Sequence, residues 1–292
     1  MTSTPAAPVY CLLNDQPPFT NLSENHPDTE PSPLSTSTPE ICTINENSTF
    51  GLVELLLKDQ PRFNDITRQP AAQRRTIPGL LAIGLGGYSI FALVLSAVFC
   101  FAGLWPRLIP LTEWLEGTLR LPVEVMPLEA GGIWHVWRSG QALHLTLAYV
   151  LGLVGAIGIC LPSFYFYSLL AGVRTSMLQV ATSALNGLAS GAIAVLGILP
   201  IYLAVMLGLI ILKAPVEQVQ AACLVGMTLP FLAGLYGTRA LYLGFTSLAD
   251  TIPENRRGSR ERFLRRLLLA WSGCYSTVTP VMIFALWEYM GR

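Results

Sequence analysis

The sequence predicts an all-α, polytopic membrane bundle of about five transmembrane helices, and three observations carry that prediction. Long apolar runs lie near 78–104, 141–171, 177–212, 218–248 and 267–290. Each exceeds the roughly 20 apolar residues that a helix needs to cross a hydrocarbon core. Charged residues make up only 12% of the chain against 52% apolar ones, about half the charge of an ordinary globular domain. The arginines, finally, gather between alternate runs. In soluble proteins a helix that is apolar on every side is uncommon and short.

Residues 1–48 carry six acidic residues, eight prolines and no lysine or arginine. Such a segment cannot bury enough apolar surface to offset its ordering entropy. It also lacks the basic start and apolar core of a signal peptide. The expectation is a solvated, disordered tail or an arm that orders on a partner. Residues 49–77 form a second region. Ser48 or Thr49 caps a short amphipathic helix, Phe50 to Asp59, which Pro61 stops. It is expected to lie on the headgroups beside the first span. Arg62, Arg68, Arg74 and Arg75 follow it, and the bundle itself occupies 78–292.

Charge counting orients the chain. With the N-terminus in the cytoplasm and five spans, twelve basic residues fall on the cytoplasmic side and five outside, leaving Arg239 within the fourth span. The positive-inside rule therefore predicts N-in and C-out. The 105–140 connection becomes an outer cap. It holds Trp105, Trp114, Trp134 and Trp137, four of the six tryptophans, where amphipathic rings favour the headgroup level. Leu108 to Leu119 reads as a surface helix and Leu119 to Leu128 as an extended stretch broken by Pro122 and Pro127. The third run would span about 54 Å as one helix, so with Pro200 inside it a kinked, tilted, protruding or broken helix is expected.

Few residues within the runs are polar. Arg239 and Asn186 fall at similar depth in the inner half, near Gln179, Ser183 and Thr238. Arginine there is costly unless it snorkels or finds acceptors such as Asn186, and a headgroup or partner site is the functional alternative. His144 and Glu288 lie at the outer rim, within reach of one another or of His135. Small residues recur at Ser183, Gly187 and Gly191, and again at Gly152, Gly155 and Gly158. Such stripes make flat faces for close helix contact, inside the bundle or with a partner.

The catalytic inventory is thin. No zinc helix, nucleophile elbow or phosphate-binding glycine loop is present. His144 has no second histidine at its depth for an axial haem pair. The six cysteines (Cys11, Cys42, Cys100, Cys160, Cys223, Cys274) lack metal or redox spacing. Zero net charge argues against nucleic-acid recruitment. No cofactor is expected. Sixteen arginines against two lysines, with heavy use of Ala, Gly and Leu, point to a GC-rich bacterial source and hence the bacterial cytoplasmic membrane.

Leu161-Pro162-Ser163-Phe164-Tyr165-Phe166-Tyr167, followed by Leu169-Leu170-Ala171-Gly172-Val173-Arg174, resembles a span end recurring in bacterial multi-span proteins often labelled actin-binding. Phe50 to Phe63 and Trp271 to Gly291 resemble the same group's first amphipathic segment and closing span. In layout the group is similar to the Ypt-interacting (YIP) proteins, which implies five helices and a cytoplasmic N-terminus. The 105–140 loop stands outside the resemblance, which implies no activity or site residue. Read without it, Phe164 to Tyr167 form an inner aromatic belt before a tight turn at Gly172 to Arg174.

Together these readings predict a non-enzymatic membrane subunit or scaffold that packs against other integral membrane proteins and lipid. The alternative is a small-molecule or lipid transporter, for which the overlong third run and Arg239 are the pointers.

Overall fold

The computed structural model describes residues 49–67, 69–110, 113, 121–128, 132–170, 176–249 and 257–291. The 1–48 tail, the 172–174 turn and most of the expected 108–119 surface helix lie outside them, and Leu108 itself belongs to a strand. Helices α1 (Thr49–Lys58) and α2 (Gln60–Thr67) precede the long α3 (Pro70–Phe101). Strands β1 (Leu104–Leu108) and β2 (Val123–Pro127) and the short α4 (Gly132–Arg138) fill the next connection. Four long helices complete the chain: α5 (Gln141–Leu170), α6 (Met177–Ile211), α7 (Val216–Ala249) and α8 (Arg257–Gly291). Among the described residues, five helices are long and apolar enough to cross a membrane. Helix is the open-ended solution there, because it satisfies every backbone group within its own segment.

Two of these helices begin before their apolar runs do. Helix α3 starts at Pro70 rather than near 78, and α8 at Arg257 rather than near 267. Backbone hydrogen bonding does not end where hydropathy does. Pro70 also suits a first turn, whose N–H groups have no helical acceptor. Each of the five long helices contains one internal proline: Pro78, Pro162, Pro200, Pro230 and Pro280. Each deletes a ladder donor, yet α6 runs through Pro200 without interruption. The third run is thus one continuous helix, and the broken alternative is set aside. Ser176 caps it, its Oγ accepting from the Gln179 N–H at 3.2 Å. Lys213, at φ 51°, turns the chain out of the helix, and the Ala214 N–H closes back on the Leu209 carbonyl at 2.9 Å.

Helix α6 is the hub. It packs along α3 on one side and α7 on the other, α5 pairs with α8, and α3 joins the two groups by touching α5. The amphipathic α1 docks more deeply than expected. Leu52, Leu55 and Leu56, with Phe63 of α2, pack on Leu80 and Ala189, so its inner face is buried in the bundle. Phe50 (86% exposed) and Leu57, two turns apart, remain on its outer face. Pro61 ends α1 as expected and stands in the first turn of α2.

The connection between α3 and α5 contains a two-stranded antiparallel hairpin pairing Leu104 with Pro127 and Leu108 with Val123. Strand β2 matches the expected extended stretch. Strand β1 was not foreseen, because Trp105-Pro106-Arg107 lacks an alternating pattern. Its Leu104 and the Val125 of β2 are buried against the bundle, and Gln220 of α7 donates to the Val125 carbonyl at 3.1 Å. The expected aromatic belt divides. Phe164 is fully buried while Phe166 and Tyr167 face outward.

Candidate functional site

All five long helices meet around one small cavity, lined by Tyr88 of α3, Ile157 of α5, Gly187 of α6, Gly237 and Thr238 of α7, and Tyr275 of α8, among others. Glycine places the helices there. The backbones of Gly187 and Gly237 touch directly, and a Cβ on Gly187 would stand 3.0 Å from the Gly237 carbonyl oxygen. One contact further along, a Cβ on Gly191 would meet the Tyr88 hydroxyl at 2.8 Å. Aromatic rings close the far side. Trp271 stacks on Tyr275 at 5.5 Å and 7° and lies 4.9 Å from Phe164, and its Nε1–H donates to the Cys160 carbonyl at 3.3 Å. The cavity holds about 20 Å³, room for one water molecule and no larger ligand.

The small-residue stripes predicted from sequence are used inside the bundle. Gly187 and Gly191 seat α7 and Tyr88 as above. A Cβ on Gly152 would stand 3.0 Å from the Ile283 backbone, and one on Gly155 would meet the Met282 methyl at 3.1 Å. Only Gly158 of the second stripe has open space before it. Ser183 is half-buried and donates to the Gln179 carbonyl of its own helix at 2.9 Å. Apart from Gly158, the glycines of both stripes are therefore taken up by contacts within the bundle.

Arg239 and Asn186 do share a depth, since Gly187 lies against Gly237, but they face opposite ways. Asn186 is buried and meets Ser190 Oγ in a long 3.5 Å contact. Arg239 is exposed on the outer surface of α7. Two residues turn a helix by about 200°, so once Gly237 faces α6, Arg239 points away. The expected Arg239–Asn186 hydrogen bond is not made. Of the residues expected at the outer rim, His144 is half-buried at the start of α5, Glu288 half-buried near the end of α8, and His135 exposed on α4.

Sequence reasoning missed three features. Tyr149 Oη donates to the Met227 carbonyl at 2.6 Å, tying α5 to α7. Tyr202 Oη, packed on Gly226, is buried with no hydrogen-bond partner among the described residues. Cys160 of α5 and Cys274 of α8 lie close enough for their thiols to interact across the two helices. A polar-tipped ring inside an apolar run was the available signal for the two tyrosines. For the cysteines there was none, because their pairing needs the helix rotations. Among the described residues no three of His, Cys, Asp and Glu gather as a metal site would require.

No protein-family model, curated protein or solved structure matches this chain.

Proposed function

We propose that the chain is a non-catalytic, multi-pass subunit that packs against other integral membrane proteins in a complex of the bacterial cytoplasmic membrane, N-terminus inside and C-terminus outside. Arg239 carries the reading. Leu232, Leu235, Tyr236, Arg239 and Leu243 are all exposed and recur at helical spacing, so they form one face of α7. Among the described residues Arg239 has no hydrogen-bond or ion-pair partner. Arginine on a lipid-facing surface costs about 2.5–3.5 kcal/mol at mid-span on insertion scales, and intramembrane arginines almost always pair. A partner helix offering carboxylate or carbonyl acceptors removes that cost. The narrow junction supports the same view, because the interior is filled by packing.

The rival reading, a small-molecule or lipid transporter, leans on the overlong third run with Pro200 and on a buried Arg239. Helix α6 is long and unbroken, and Arg239 faces out rather than into a cavity, which weakens its second pointer. The resemblance to YIP-like proteins fits a five-helix, N-in subunit and adds no activity.

Affinity purification from native membranes in mild detergent, read by mass spectrometry, tests the reading. Stoichiometric membrane proteins are expected, depleted by Arg239→Ala and weakened by deletion of residues 1–48. A monodisperse, partner-free protein would sink it. Orientation is tested separately by Trp134→Cys in a cysteine-free background. A membrane-impermeant maleimide must label this position (83% exposed) from outside.

A further inference from the structure

A second, larger hollow lies away from the junction, between the α1–α2 hairpin and the opening turns of α3, with a volume of about 770 Å³. That is within the usual range for small-molecule sites. Its polarity changes in one direction. Gln69 and Arg75 line one end, whereas Leu52, Gly79 and Ala82 line the other. Arg75, Gly79 and Ala82 are spaced at i, i+4 and i+7 and so share one stripe of α3. The stripe descends about 10 Å from the basic start of the helix into its apolar span. Gly79 lets α1 close on α3 at this end, because a Cβ there would stand 2.5 Å from Leu52 Cδ1.

Charge points to the occupant. Arg74 and Arg75 are exposed and have no acidic partner among the described residues, while the nearby Lys58 ammonium is already paired with Glu54 at 2.6 Å. We propose that this groove binds one anionic phospholipid, with Arg75 on the phosphate and an acyl chain along Gly79 and Ala82. Basic sites beside span ends recognise such headgroups through charge and hydrogen bonding. The acidic 1–48 segment also has complementary charge, but it fits less well. The inner end of the groove reaches hydrocarbon depth, where unpaired peptide groups cost several kcal/mol each and an acyl chain costs nothing.

Native mass spectrometry of the full chain, in detergent doped with phosphatidylglycerol or phosphatidylcholine, tests the assignment. The wild type is expected to retain one phosphatidylglycerol and to prefer it by about tenfold, because the choline cation of phosphatidylcholine offsets the phosphate's attraction to Arg75. Arg75→Gln should erase the preference and Arg75→Lys should restore part of it. Ala82→Phe should lower retention of both lipids and keep the preference. Both side chains are exposed, so the variants should fold. An unchanged preference in Arg75→Gln overturns the proposal. So does lipid retention that emerges only after residues 1–48 are deleted, which would place the tail in the groove. Complete displacement by millimolar inorganic phosphate, the mark of a free-anion site, overturns it as well.

Discussion

Gly237→Ala is the sharpest probe of the bundle, because two known effects oppose each other there. Replacing a mid-helix glycine by alanine stabilises a helix by about 1 kcal/mol through backbone entropy. At Gly237 the new methyl would meet the carbonyl oxygen of Gly187 well inside van der Waals contact and stand 3.1 Å from its carbonyl carbon. Overpacking of this kind costs about 1–3 kcal/mol. The upper part of that range applies, because a backbone carbonyl in α6 cannot rotate aside as a side chain would. The net effect is a loss of about 1–2 kcal/mol. At roughly 2–4 °C per kcal/mol for a chain of this size, the melting temperature should fall by about 2–8 °C. Gly158→Ala is the control. No atom lies within 4 Å of its Cβ position, so only the propensity gain remains. Tryptophan-fluorescence melting of both variants in one detergent gives the comparison. If Gly237→Ala melts level with Gly158→Ala or above it, α6 and α7 do not cross at this point and the junction is wrongly built.

Two further outcomes test neighbouring features. Tyr202→Phe removes a buried hydroxyl that lacks a partner and should stabilise the fold by about 1–2 kcal/mol. Tyr149→Phe removes the bond to the Met227 carbonyl and should cost about 0.6–1.5 kcal/mol. Equal shifts in the two melting curves would refute the assignment of their partners. Mild copper-phenanthroline oxidation should join Cys160 to Cys274 within one chain, seen as a mobility shift that Cys274→Ser abolishes. Absence of that crosslink would separate α5 from α8 at this level.

The spans were legible because crossing hydrocarbon imposes a length and a composition that few other segments share. Their rotations were not. A run apolar on every side carries no periodic signal for which face turns inward, so Asn186 and Arg239 could be matched in depth but not in direction. The glycine stripes were visible as flat faces, yet whether α7, α8 or another protein filled them depended on which helix arrived there. Strand β1 was hidden for a related reason: its pairing with β2 is a contact across the loop.

Residue order alone therefore determined a multi-pass helical membrane protein, its five spans and their basic flanks. Tertiary structure decided what those spans enclose. It brought Gly187 onto Gly237, joined Tyr88, Trp271 and Tyr275 around a space for one water, and turned Arg239 outward. The physical reason is that insertion is set segment by segment through transfer free energy, whereas packing is set by the shapes of faces that meet only after insertion.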